Sequence, residues 1–231
     1  MKTIGILGGM GPASTIAYYR YITDRYYELY GNYAYPEIAV FSVDFQTIID
    51  ARYDRPDIVR DAIEALHRAG ADFVVASCNS IHVVYDRIAD DLPIPWVSIV
   101  DVLGEHVRKS GTTRVGLLGT ALTMRQGFYQ RGLAHYGVET IVPEEAEQQQ
   151  VNAIIFAELV RGVMTEASKG VMLESVERLS RAGADAVVLG CTEIPLLIQQ
   201  DDTTVPLFDT TTLHAQHALD LAMEAPIVGH T

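Results

Sequence analysis

One stretch of this chain occurs twice. AGADFVVASCNS at 69–80 returns as AGADAVVLGCTE at 182–193, which sets Cys78 on Cys191, 113 residues further on. The likeness reaches upstream, where IEALHRAGAD (63–72) is echoed by VERLSRAGAD (176–185), and TIGILGGM (3–10) is echoed by TRVGLLGT (113–120). In each copy a helical pattern ends at a glycine and a short apolar run follows. The runs, Phe73–Ala76 and Ala186–Leu189, read as buried parallel strands with a cysteine just past the C-terminal end. A chain that repeats helix, strand and thiol in this way is expected to fold as two copies of one α/β unit.

The rest of the pattern agrees. Residues 3–8 read as a strand, and Pro12 suits the first turn of a helix running to Tyr30, with Ile16, Tyr19, Ile22, Tyr26 and Leu29 at helical spacing. A strand at 38–44, a loop or short helix at 45–52 and a helix at 56–70 lead to the first cysteine. A helix over 79–90 and a strand over 94–100 follow it, then the end of a helix at 104–110 and a strand at 113–119. The second copy brings a helix at 171–183, the second cysteine strand, a strand near 204–208 and a last helix at 212–223 that folds back onto the first half. The tail from Pro226 to Thr231 reads as frayed.

Alternating strands and helices predict doubly wound parallel sheets, and two copies predict two lobes related by a pseudo-twofold axis with the active site in the cleft between them. The expected division is 1–101 plus 210–231 for the lobe of the first cysteine and 102–209 for the lobe of the second. Ligands of such sheets bind beyond the carboxyl ends of strands, which is where both cysteines, the GGMGP loop, Asp44 and Thr120 fall.

Several functions are disfavoured. A net charge of −13 argues against nucleic acid or an anionic membrane as partner. No apolar run approaches the ~20 residues needed to cross a bilayer, and there is no signal-like N-terminus, so a cytoplasmic protein is expected. The Gly9-x-Gly11 turn has Ser14 where a dinucleotide fingerprint wants its third glycine. There is no P-loop, the seven histidines lack paired metal-ligand spacing, and none of Lys2, Lys109 or Lys169 lies at a strand end. No cofactor or metal is expected. A disulfide between the two cysteines is disfavoured by a reducing compartment and by their equivalent placement in the repeat.

The thiols remain. A cysteine just ahead of a helix feels its N-terminus, and its pKa is expected to fall toward neutrality. Nucleophilic catalysis by one thiol wants an oriented histidine, but His82 lies a turn beyond Cys78 and the second copy has none. Two symmetric thiols fit another task. Inverting a stereocentre takes a proton from one face and returns one to the other, with one thiolate as base and one thiol as acid. Asn79, Ser80 and Thr192, with nearby backbone N–H groups, are candidates to cradle a carboxylate, or else simple helix caps. Arg52 and Arg161 are candidates to grip a second carboxylate, or else surface ion-pair partners. The tyrosine-rich helix is a candidate dimer interface or a half-exposed face.

These residues resemble a known family. ILGGMGP (6–12), SCNS (77–80) and GCTEIP (190–195), with SVDF (42–45), LLGT (117–120) and FDTT (208–211), resemble the aspartate/glutamate racemase family and, within it, the cofactor-independent aspartate racemase branch. The resemblance covers nearly the whole chain. It implies a two-lobed fold, no cofactor, a homodimer, an acidic amino acid as substrate, and catalysis by Cys78 and Cys191. It also implies substrate contacts from Met10, Arg52, Asn79, Ser80, Thr120, Arg161 and Thr192. Ser80 stands where a threonine is usual, and Arg161 where some members carry lysine. Glu193 occupies the position that holds a histidine in glutamate racemases. A dicarboxylate cis–trans isomerase resembling maleate isomerase and a non-catalytic acidic-ligand-binding protein are the alternative readings.

Overall fold

The computed structural model describes residues 1–224; the tail expected from Pro226 to Thr231 lies outside the described residues. These residues form two compact units. The first comprises 1–77, 84–98 and the chain from His214; the second comprises 78–83 and 99–213.

In the first unit, β1 (Ile4–Gly8) leads to α1 (Pro12–Tyr30), β2 (Ile38–Ser42), the short α2 (Phe45–Asp50), α3 (Pro56–Arg68), β3 (Phe73–Ala76), a single helical turn α4 (Tyr85–Ile88) and β4 (Trp96–Val97). The second unit takes α5 (Ile99–Ser110), β5 (Arg114–Gly119), α6 (Ala121–Arg125), α7 (Phe128–Ala134), β6 (Glu139–Ile141), α8 (Glu145–Ala157), α9 (Glu166–Arg181), β7 (Ala186–Gly190) and β8 (Leu207–Asp209). The last helix, α10 (Thr210–Met223), begins in the second unit and passes to the first at His214.

Both sheets are parallel and have the same strand order: β2-β1-β3-β4 in the first unit and β6-β5-β7-β8 in the second. The sequence repeat therefore corresponds to a repeat of topology, with each cysteine strand between the unit's first strand and its last.

The AGAD tetrad has a physical reason in both copies. Gly70 and Gly183 carry φ of 94° and 100°, a left-handed region that glycine enters without a Cβ penalty. Each lets the chain leave its helix with a doubly bonded C-terminal turn: Ala71 N–H to Leu66 O and Gly70 N–H to His67 O in one copy, Ala184 N–H to Leu179 O and Gly183 N–H to Ser180 O in the other. The aspartate then turns back onto the neighbouring strand. Asp72 Oδ2 accepts from Thr3 N–H at 2.6 Å, and Asp185 Oδ2 accepts from Thr113 and Arg114 N–H at 3.2 and 3.0 Å.

Each unit has its own core. Ile4, Ile6, Tyr18, Ile22, Phe73 and Val75 pack with Ala215, Ala218, Leu219 and Ala222 of α10 in the first, so the last helix does return to the first half. In the second, Val115, Leu117, Val187 and Leu189 of the sheet pack with Leu103, Leu133, Val151, Val176 and others from its helices.

The buried stripe of α1 is Ser14, Tyr18, Ile22 and Tyr26, spaced by four, so Ile16, Tyr19 and Leu29 are exposed. Apolar residues alone do not mark its inner face, because a small serine and the phenol of Tyr18, bonded to His214 Nδ1 at 2.8 Å, satisfy the inner side. Two local expectations are corrected. The helix expected over 79–90 is instead a 3₁₀ turn (Ser80–Val84) followed by α4. The strand expected over 94–100 is limited to Trp96–Val97, and Ile99 already begins α5.

Candidate active site

Cys78 and the five residues after it are grouped with the second unit, as is Cys191. Both are free thiols, 6% and 5% exposed. Cys78 follows the buried strand β3, and its carbonyl is held by His82 Nδ1 at 3.0 Å. Ile99 N–H donates to His82 Nε2 at 3.2 Å. A ring nitrogen that accepts carries no proton, so the His82 proton sits on Nδ1 and points at the carbonyl oxygen, not at the sulfur. His82 thus braces the turn after Cys78 against the start of α5.

The next two side chains are tied into the same unit. Asn79 Oδ1 accepts from the buried Tyr129 hydroxyl, and its Nδ2 donates to Thr210 Oγ1 at 3.2 Å, which itself donates to Leu189 O at 2.8 Å. Ser80 Oγ lies 3.0 Å from Thr120 Oγ1 and 3.1 Å from Thr123 Oγ1, and the two threonine hydroxyls are 3.0 Å apart. Thr120 is also the N-cap of α6, accepting from Thr123 N–H at 3.2 Å. Thr120 therefore serves as a cap, and the 3₁₀ turn after Cys191 has Glu193 at its N-cap position with no side-chain cap bond.

Cys191 sits just past β7 and is followed by Thr192, Glu193 and a 3₁₀ turn, Ile194–Leu196. Its thiol donates to Glu193 Oε2 at 3.1 Å, and Thr192 Oγ1 donates to the same oxygen at 3.0 Å. Glu193 is 4% exposed. The close approach of β5 and β7 at this end depends on paired glycines: a Cβ on Gly119 would stand 2.7 Å from Gly190 O.

The expectation of thiols lowered toward neutrality is overturned. Burial pushes Cys78 up to about 12, with the Glu193 charge adding to the rise and backbone N–H groups of Ile81 and Ser80 opposing it. Cys191 is raised well above the ordinary value, first by burial, then by Glu193, with Cys78 also contributing. A 3₁₀ turn presents one or two N–H groups where a long helix presents a full terminus, and desolvation of the charged form outweighs them. The titration of Tyr129 is raised mainly by burial and further by both cysteines.

Of the remaining sequence-derived candidates, Met10 and Arg52 belong to the first unit. Met10 is 3% exposed in the glycine turn after β1, where Gly9 has φ 92° and no room for a Cβ beside Ser42 and Val43. Arg52 is exposed, with the unusual φ of 52° just past α2. Arg161, in the second unit, is exposed at the end of a 3₁₀ turn, its Nη1 3.5 Å from Ala157 O. Neither arginine forms an ion pair among the described residues, whereas most arginines and lysines of this acidic chain do. Among those residues no helix is long and apolar enough to cross a membrane, and no cluster of three or more His, Cys, Asp or Glu is placed to hold a metal ion.

Comparison with known proteins identifies the family. The model of the Asp/Glu/Hydantoin racemase family matches residues 7–218. The chain belongs to that family. Among racemase relatives, the broad specificity amino-acid racemase RacX of Bacillus subtilis (strain 168) is 28% identical over 215 residues, covering 90% of this chain and 92% of RacX. An aspartate racemase homologue from Pyrococcus horikoshii OT3 superposes with a TM-score of 0.85 at 36% identity, covering 97% of this chain and all of its own. A candidate Asp/Glu racemase from Yersinia pestis gives 0.88 at 35% identity, with the same coverage. A glutamate racemase from Francisella tularensis, crystallised with D-glutamate, shares the fold at 17% identity, with a TM-score of 0.68 over 95% of this chain and 80% of its own. In this racemase-family chain, sequence reasoning missed Tyr129, Thr123 and Thr210 as members of the cysteine neighbourhood. It noted Glu193 only as a departure from the glutamate racemases. The GCTE motif was the available signal for Glu193; nothing in the sequence around Tyr129 marks it.

Proposed function

We propose that this protein interconverts the L and D forms of an acidic amino acid, aspartate or glutamate, without a cofactor, by a two-base mechanism on Cys78 and Cys191. The observation that carries the reading is the grouping of two buried free thiols in one unit, each just past the end of a buried parallel strand and at aligned positions of the repeat. In the free protein both are held protonated. A substrate's α-ammonium group arriving beside Glu193 offsets the carboxylate charge that raises both thiols, which makes a thiolate available when the α-carbon is present. Buried N–H groups near Cys78 and Cys191 would then stabilise the charge that develops on the substrate carboxylate as the proton leaves.

The reading keeps Asn79, Ser80, Thr120 and Thr192, together with Met10, Arg52 and Arg161, as substrate contacts. The unpaired guanidinium groups of Arg52 and Arg161 suit a distal carboxylate. It includes a homodimer through the exposed aromatic surface of the first unit, where Tyr19, Tyr27, Leu29, Tyr30 and Tyr33 are 45–77% exposed. Free thiols suit a reducing, cytoplasmic setting. The test is chiral chromatography of L- and D-aspartate and L- and D-glutamate incubated with purified enzyme and no added cofactor. Racemisation that Cys78→Ala and Cys191→Ala each abolish is expected; wild-type rates in either variant would end the proposal.

A further inference from the structure

The two thiols are not equivalent. Backbone N–H groups favour the thiolate at both, those of Ser80 and Ile81 at Cys78 and that of Glu193 at Cys191. Cys191 differs in donating to a buried carboxylate, an acceptor that favours a thiol, and Thr192 Oγ1 fixes the same oxygen, Glu193 Oε2. The repeat places Ser80 opposite Glu193, so this asymmetry is a difference between the two copies at one aligned position.

We propose that Glu193 is a positioning residue that holds Cys191 in its protonated form, so that the resting enzyme takes the substrate α-proton with Cys78 and returns one from Cys191. The inference rests on the two-thiol reading above. The step balances from the form in which substrate binding has sent the Cys78 proton to solvent: the Cα–H bond breaks as its proton passes to the Cys78 thiolate, and the electron pair left on Cα takes the proton of Cys191, leaving that sulfur as thiolate. A further cycle in the same direction needs the proton on Cys78 exchanged back to Cys191 through solvent. A racemase has an equilibrium constant of one, so kcat/KM is equal in the two directions. An enzyme poised in one protonation state therefore shows unequal kcat values matched by equally unequal KM values. The enantiomer accepted by the resting form is turned over in a different steady state from its mirror image.

The groups that bear on Cys191 are Glu193, Cys78 and Tyr129. With two cysteines in the chain, a Cys78→Ala background leaves Cys191 as the only thiol, and the pH dependence of its alkylation by a small reagent reads its titration without any turnover. Glu193→Gln in that background is expected to lower the midpoint by about one pH unit or more, which is about tenfold in thiolate at a fixed pH below it. Glu193→Asp, which retains the charge, is expected to keep the midpoint near the parent value. With both cysteines present, the ratio of forward to reverse kcat is expected to differ from one in the parent and to change in Glu193→Gln but not in Glu193→Asp. An unchanged alkylation midpoint in Glu193→Gln, or a parent kcat ratio of one, overturns the role of Glu193. Racemisation by the Cys78→Ala enzyme would instead overturn the two-thiol reading itself, so the two failures are distinct.

Discussion

Ser80 Oγ and Thr120 Oγ1 lie 3.0 Å apart, which joins the turn after Cys78 to the end of β5, and Thr123 Oγ1 closes the set at 3.1 and 3.0 Å. Three buried hydroxyls that satisfy one another make a rigid link, because each loses a partner if any one is removed. Thr123→Val keeps the shape and deletes one hydroxyl. It is expected to destabilise the protein by about 1–3 kcal/mol, read from urea unfolding, because Ser80 and Thr120 each lose a buried partner. A change below the error of the measurement would show that the cluster contributes nothing net.

The paired turns at Gly70 and Gly183 make a second prediction. Their φ values of 94° and 100° are costly for any residue with a Cβ, so Gly70→Ala and Gly183→Ala should each lower stability by about 1–2 kcal/mol. At Gly70 no atom lies within 4 Å of the added Cβ, and at Gly183 it meets only the guanidinium end of Arg114. The two losses should therefore match in thermal denaturation, since backbone conformation and not crowding sets both.

Arg52 and Arg161 are exposed cations without a carboxylate partner among the described residues. If they serve the distal carboxylate of the substrate, Arg52→Gln and Arg161→Gln should each raise KM for aspartate or glutamate by about tenfold, matching the loss of one charged hydrogen bond. The melting temperature should stay within about a degree, as expected for surface positions. Unchanged steady-state kinetics in both variants would leave the distal group without these partners.

The exposed aromatic surface of α1 and the loop after it predicts self-association. Tyr27 and Tyr33 stack with ring centroids 5.4 Å apart, at 45% and 77% exposure. In light scattering the wild type is expected to be a dimer, and Tyr27→Ser combined with Tyr33→Ser is expected to shift it toward monomer. A wild-type monomer at micromolar concentration would remove this surface from the account.

Much of the fold was legible because the two copies carry their own signals. The apolar runs before Cys78 and Cys191, the left-handed glycines and the capping aspartates are local features with local causes, and the sheet follows from them. Residues 121–165 were not legible. Their helices α6, α7 and α8 are short or weakly amphipathic, and β6 has three residues with no alternation. That gap hid Tyr129, whose partner Asn79 is 50 positions away. The thiol titrations were misjudged for a different reason. Sequence spacing puts a cysteine before a helix, but burial and the fold-dependent contact with Glu193 decide the sign, and neither is visible in spacing.

Two separate proton carriers, Cys78 and Cys191, are the central claim. The most direct measurement follows each enantiomer of the substrate in deuterated water at early conversion, with mass spectrometry of substrate and product resolved on a chiral column. Two bases predict product that carries deuterium at the α-carbon and recovered substrate that carries none, whichever enantiomer is supplied. Product that retains its protium, or recovered substrate that gains deuterium as fast as product forms, would show a single base working both faces and would contradict the roles given to Cys78 and Cys191.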